Sequence, residues 1–270
     1  LEDCTELKAL PDGLKVGGHL NLEDCTELKA LPDGLKVGGN FNLYDCTELK
    51  ALPDGLSVGG NFNLYGCTQL KALPYGLSVG EDLDLRGCTE LKALPDGLKV
   101  GGNFNLEDCT ELKALPDKLS VCKNFILKGL TLLNGFTNLT KFDANLKQFL
   151  IGGNLNFTDC PNLATLPDNL IVGGSLNLYG CTRLTKLPYR LLVGKNLDLQ
   201  QCKGLTELPD KLSLGGELNA FGCTGLTALP DGLSVSGGDL NLGNCIALTA
   251  LPNGLSVGGK LKCSNSGLTA

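Results

Sequence analysis

Cysteine recurs every twenty-one residues, at Cys4, Cys25, Cys46, Cys67, Cys88 and Cys109, and again at Cys160, Cys181, Cys202 and Cys223. Around each one runs a phrase close to V-G-G-x-L-x-L-x-x-C-T-x-L-x-x-L-P-x-x-L. Residues 1–21 and 22–42 differ only at His19 against Asn40 and Leu20 against Phe41. A fixed period of this length marks a solenoid, in which each repeat is one coil stacked on its neighbours. Such an array grows without enlarging its core, because each coil touches only the next.

With the cysteine position as anchor, coils are marked by 4, 25, 46, 67, 88, 109, 130, 160, 181, 202, 223, 245 and 266. Leu130 replaces Cys at the seventh anchor, and the next step is 30 residues long. The excess places an irregular insertion at 131–151, read equally as a partner-specific loop or a decayed repeat. One further residue of slack appears at Ser236. The insertion separates two dialects: Lys8, Lys29, Lys50, Lys71, Lys92 and Lys113 stand in register before it. Ala164, Thr185, Thr206, Thr227 and Thr249 take that position after it. Because the intervening segment is apolar rather than linker-like, 1–270 reads as one solenoid of about twelve coils with a defect. It opens and closes inside a repeat, which suggests a fragment of a longer protein.

Asn40-Phe41-Asn42-Leu43 alternates polar and apolar residues, the period of a half-buried strand. Stacked copies put Leu20, Phe41, Phe62, Leu83 and Phe104 in one inward row, with Leu22, Leu43, Leu64, Leu85 and Leu106 in the next. Leu49, Leu52, Leu56 and Val58 complete a core wedge. Pro53 favours an extended return, and Gly59-Gly60 predicts a tight corner with positive φ. No coil has room for a full helix.

Eleven of the thirteen cysteines share one position per coil, which points to packing rather than a disulfide framework. Free cysteine is among the most buried residue types. Reduced thiols in turn suggest a reducing compartment, the cytoplasm or a host cytosol, while the triplets Asn138-Leu139-Thr140 and Asn156-Phe157-Thr158 offer secretion as the weaker alternative. A ladder spreads its sulfurs along a line, whereas zinc ligands converge on a point. No metal or cofactor is therefore expected. A net charge of −6 argues against a nucleic-acid partner. No apolar run reaches the ~18–20 residues of a membrane span.

The arrangement resembles the leucine-rich repeat family, whose pattern is L-x-x-L-x-L-x-x-N/C-x-L. Phe41-x-Leu43-x-x-Cys46-x-x-Leu49 supplies its centre, and Leu261-x-Cys263-x-x-Ser266-x-Leu268 keeps the shorter family spacing. L-P-x-x-L and the short period are similar to bacterial repeats of secreted effectors. C-x-x-L-x-x-L-P is also similar to plant immune-receptor repeats. The resemblance implies a right-handed superhelix with a parallel sheet on the concave face. Extended, polyproline-like or short 3-10 returns would line the convex face, with little or no α-helix. It also implies a protein partner bound on the concave sheet.

Enzymatic signals are sparse, and no catalytic residue is assigned. His19 is the sole histidine and reads as a solvated surface residue. Cys122 lies outside the ladder beside Lys123, a weak nucleophile signal. Gly254-x4-Gly259-Lys260 lacks the Ser or Thr of a phosphate loop. The aspartates after the proline, among them Asp12, Asp33 and Asp54, read as turn residues bonding their own backbone. Glu6, Glu27, Glu48, Glu90 and Glu111 flank the lysine row, and the two rows are expected to neutralise each other.

Two outward rows remain. Four residues before the anchor stand Asn21, Asn42, Asn63, Asp84 and their successors, read either as an amide ladder up the sheet or as a binding surface. Two residues before it, identity varies: Glu23, Tyr44, Tyr65, Arg86, Glu107, Lys128, Thr158, Tyr179, Gln200, Phe221, Gly243. Tyr and Arg are enriched at binding hot spots. The expected patch is Asn42, Tyr44, Asn63, Tyr65, Asp84 and Arg86, with Tyr179 and Phe221 as a second. Three functions follow: a non-enzymatic protein-binding scaffold, the recognition domain of a larger bacterial effector such as a ubiquitin ligase, or a structural spacer or surface stalk.

Overall fold

The computed structural model describes residues 1–116, 119–130, 149–210 and 212–269. It divides into two compact units, Leu1–Leu132 and Leu133–Ala270. The expected insertion at 131–151 falls at this division, and its residues 131–148 lie outside the described residues. Each unit is a parallel β-solenoid, and no helix occurs among the described residues. None is therefore long and apolar enough to cross a membrane.

In the first unit a row of two-residue strands carries the predicted alternation: Leu20–Asn21, Phe41–Asn42, Phe62–Asn63, Leu83–Asp84, Phe104–Asn105 and Phe125–Ile126. Successive copies pair in parallel one period apart, Phe41 opposite Phe62 and Asn42 opposite Asn63. The side chain before the backbone turn points in and the next points out, so Phe41 is buried and Asn42 half-buried. Phe41 stacks on Phe62 with ring centroids 5.1 Å apart, and Phe104 on Phe125 at 5.0 Å. The second unit repeats the row from Leu155–Asn156 to Leu261–Lys262.

The return is not merely extended. A second parallel row, Lys15–Val16, Lys36–Val37, Ser57–Val58, Ser78–Val79, Lys99–Val100 and Ser120–Val121, lies one corner away from the first. A third side carries isolated bridges, Ala30 to Ala51 and Ala72 to Ala93, with Lys186 to Glu207 and Glu207 to Ala228 in the second unit. Each coil is thus three-sided. Leu43, Cys46, Leu49 and Leu56 in one coil, with Val58 and Phe62, are almost fully buried. Burying one such leucine contributes about 1.5–3 kcal/mol, and among the described residues no polar or charged residue shares this interior.

Three corners join the sides. At Gly59-Gly60 the expected positive φ is not found, since neither glycine appears among the left-handed residues. The constraint is proximity instead. The Gly59 N–H donates to the Val37 carbonyl at 3.0 Å, and a Cβ on Gly59 would collide with the Gly38 carbonyl oxygen one coil back. Positive φ belongs to the other two corners. Gly55 has φ 69° after Pro53-Asp54, and Asp45 has φ 52° immediately before Cys46. The residue before each anchor is accordingly Gly, Asp or Asn, the types that tolerate this region best, with Gln201 the exception at φ 62°. Ser236 is absorbed at the glycine corner: Leu218 still pairs with Leu240, while Ser234–Val235 pairs only with Ser256–Val257.

Candidate functional site

The outward asparagines do not form a ladder from coil to coil through their side-chain oxygens. Asn42 Oδ1 accepts the Tyr44 N–H at 3.1 Å, Asn63 Oδ1 that of Tyr65 at 3.0 Å, and Asp84 Oδ1 that of Arg86 at 3.1 Å. Asn177 does the same for Tyr179 at 2.9 Å and Asn219 for Phe221 at 3.2 Å. An Asn or Asp carbonyl oxygen is the right length to close this two-residue turn, which accounts for the uniform row. The free amide reaches along the axis in places, as where Asn42 Nδ2 donates to Glu23 Oε2 at 2.9 Å.

The coil-to-coil ladder sits two residues earlier. Asn40 Oδ1 accepts the Asn61 N–H at 3.0 Å, Asn61 that of Asp82 at 3.0 Å, and Asp82 that of Asn103 at 2.7 Å. His19 belongs to this series, its Nδ1 accepting the Asn40 N–H at 2.8 Å. The histidine is exposed as expected, yet it replaces an asparagine acceptor rather than standing idle. Three of the turn aspartates, Asp54, Asp168 and Asp231, bond across coils to the N–H of the equivalent residue in the next. Asp54 Oδ1 accepts the Tyr75 N–H at 3.1 Å and Asp168 Oδ1 that of Tyr189 at 2.9 Å. Stacking at about 4.8 Å brings the next coil's N–H within reach of the side chain. In the Glu and Lys rows, the ion pair formed among the described residues is Lys8 with Glu27 at 3.5 Å, both exposed.

The closed two-residue turns hold the variable row in one column. The Tyr44 and Tyr65 rings stack with centroids 5.0 Å apart and planes 5° from parallel. The Arg86 guanidinium lies 5.0 Å from the Tyr65 centroid, and its Nη2 donates to Asp84 Oδ2 at 2.6 Å while Nε donates to both carboxylate oxygens at 3.0 Å. Asp84 therefore strengthens the hold of Arg86 on its proton. Lys128 bonds Glu107 at 2.7 Å further along the column. Beside Tyr44, the Asp45 carboxylate raises the affinity of the phenol for its proton. Asp45 is itself shifted upward, by burial and then by Asp24.

The structure thus brings Tyr44, Tyr65, Arg86 and Asp84 together, with Asn42 and Asn63 beneath them. In the second unit Tyr179 and Phe221 are both half-buried and stand two coils apart, with Gln200 between them. Two exposed aromatics escaped sequence reading, Tyr75 at 76% and Tyr189 at 52% exposure. Both replace the turn aspartate, and the logic that singled out Tyr44 from a uniform row would have found them. Tyr189 packs against Arg190, 5.2 Å from the ring, and borders a shallow groove floored by Leu166, Leu187, Leu208 and their prolines.

All thirteen cysteines are free thiols. Within the ladder, Cys46 Sγ donates to the Leu22 carbonyl at 3.1 Å, Cys67 to Leu43 at 3.1 Å and Cys109 to Leu85 at 3.0 Å. Burial pushes Cys46 up to about 12 and Cys67 higher still, so these sulfurs are inert donors. Cys122 is exposed and stands apart from them. Among the described residues no group of three His, Cys, Asp or Glu is placed to hold a metal ion. The sequence matches no protein-family model, no curated protein and no solved structure.

Proposed function

We propose that the chain is a non-enzymatic scaffold that binds a protein partner on the asparagine-bearing sheet, through Tyr44, Tyr65, Asp84 and Arg86. The observation that carries this reading is the column itself: two stacked tyrosines continued by a guanidinium at 5.0 Å spacings. Positions that serve the fold are uniform from coil to coil, whereas this one changes identity within near-identical coils. Tyrosine and arginine are enriched at hot spots, and Arg86 is already held in place by Asp84. We assign the scaffold to the leucine-rich repeat type on its Phe41-x-Leu43-x-x-Cys46 core. A reducing compartment is supported by thiols that act as hydrogen-bond donors, a role a disulfide removes.

The test is capture from lysates with the chain and with a Tyr44→Ala/Tyr65→Ala/Arg86→Ala variant, followed by titration of the purified partner. Loss of binding in a variant that stays folded, and retention in Tyr75→Ala, is the expected result. A partner held equally by all three would move the site off this sheet.

A further inference from the structure

The two substitutions that separate residues 1–21 from 22–42 are neighbours, His19 for Asn40 and Leu20 for Phe41. Both fall on the join between these two coils. Along the coil-to-coil ladder Asn40, Asn61 and Asp82 each present a side-chain oxygen to the next coil's backbone N–H. His19 presents Nδ1 instead, 2.8 Å from the Asn40 nitrogen. A backbone N–H only donates, so Nδ1 is bare and the ring proton sits on Nε2. Nδ1 is then the one place where the neutral ring can take up a further proton. Imidazolium has an N–H at both nitrogens and accepts nothing. Protonation of His19 and the bond to Asn40 therefore exclude each other, whereas an asparagine oxygen at this place has no such alternative.

His19 stands at the corner between Lys15–Val16 and Leu20–Asn21, against Lys36–Val37 and Phe41–Asn42. The charged groups of these strands are Lys15 and Lys36, both exposed. In the turn that follows stand Glu23 and Asp24, and Glu23 is taken by the Asn42 amide at 2.9 Å. Among the described residues no carboxylate forms an ion pair with His19, so nothing charged holds an imidazolium in the bonded pose. The join is also lighter than the next one. Phe41 stacks on Phe62 with ring centroids 5.1 Å apart, but opposite Phe41 on its other side stands Leu20, which has no ring. Two backbone bonds share the corner: Gly39 N–H to the Gly18 carbonyl at 2.8 Å and Leu20 N–H to the Asn40 carbonyl at 2.9 Å. Losing the third loosens the corner without parting the coils.

We propose that His19 is an acid-sensitive latch: neutral, it fastens its coil to the next through the Asn40 N–H, and as imidazolium it lets that N–H go. Histidine is the side chain whose charge changes between neutral and mildly acidic surroundings. The strand it steadies, Leu20–Asn21, is the first of the asparagine-bearing row, so acid loosens that end of the sheet.

Amide hydrogen exchange read by NMR on the 270-residue chain tests this between about pH 8 and about pH 5. Rates are corrected for intrinsic exchange at each pH, and the His19 ring is titrated in the same samples. The Asn40 amide should lose protection about five-fold, following the ring, while the Asn61 amide should change by less than about two-fold. Asn61 N–H is the internal control, since it bonds Asn40 Oδ1 in the same geometry. His19→Asn should keep the Asn40 amide equally protected across the range. That variant is safe for the fold, because it gives the first coil the residue that the second already carries there. Protection of Asn40 that does not follow the ring overturns the proposal. So does an equal loss in His19→Asn, which would place the acid response in other groups. A ring nitrogen spectrum with the proton on Nδ1 at the alkaline end would sink it as well.

Discussion

The Cys46 thiol donates to the Leu22 carbonyl of the preceding coil at 3.1 Å, and that same oxygen accepts the Cys25 N–H at 3.2 Å. The sulfur therefore satisfies the second lone pair of a buried turn carbonyl while filling the space of a small apolar side chain. Serving both ends is what keeps cysteine at this position. Cys67→Ala should cost about 1–2 kcal/mol by urea unfolding, from the lost donor and the small void. Cys122→Ala, exposed and outside the ladder, should stay within about 0.5 kcal/mol. Equal effects would mean that the ladder thiols are not acting as donors.

Alkaline sensitivity follows from the same burial. Cys46, Cys109 and Cys202 are pushed from an ordinary 9.0 up to about 12, and Cys245 to about 11. Unfolded thiols ionise first, so above about pH 9 the unfolded state binds fewer protons and stability falls as pH rises. Below that pH the contribution is fully present, and it is lost as pH climbs through the folded values. Thermal unfolding from pH 7 to 11 should show a plateau and then a decline. At pH 8 a chromogenic disulfide reagent should titrate Cys122 quickly in the native chain, and all thirteen thiols only in denaturant.

Glycine is required at the Val-to-Asn-row corner by closeness and not by dihedral angle. Gly59→Ala should be destabilising by about 1–3 kcal/mol, because its Cβ meets the rigid Gly38 carbonyl. Gly55→Ala meets nothing within 4 Å and suffers only from its φ of 69°, a cost of about 1 kcal/mol. Urea midpoints of the two variants should therefore rank Gly59→Ala as the less stable.

Structure and binding separate at Asn63 and Asp84. Asn63→Ala removes the acceptor of the Tyr65 N–H and should cost about 1 kcal/mol. Asp84→Asn keeps an oxygen for the Arg86 N–H but drops the charge beneath the guanidinium. As an exposed pair it should change stability by less than about 1 kcal/mol. The readout is the partner affinity, which should move in Asp84→Asn even where the denaturation midpoint does not.

The inward row Leu20, Phe41, Phe62, Leu83 and Phe104 is legible from sequence because alternation and period coincide there. So is the adjacency of Tyr44, Tyr65 and Arg86, since one period of separation places them in a column. The Lys36–Val37 strand row is hidden, because two residues between Leu35 and Gly38 cannot display an alternation. The glycine corner reads wrongly for a different reason: the atom that forbids a side chain belongs to the neighbouring coil. Asn42 and Asp54 invite confusion in the same way. Both short polar side chains close turns, yet one bonds its own coil and the other the next.

Each coil in a unit is fastened to its neighbours through the same short set of parallel bonds, Phe41 opposite Phe62 and then Phe62 opposite Leu83. Under tension applied through the ends of a unit, such a stack yields one turn at a time. Rupture of a regular coil releases twenty-one residues, or roughly 70 Å of slack at full extension. The interior Phe, Leu and Cys rows then set a nearly constant force for each step, and the Ser236 corner, with its interrupted Val row, is where the unravelling should falter.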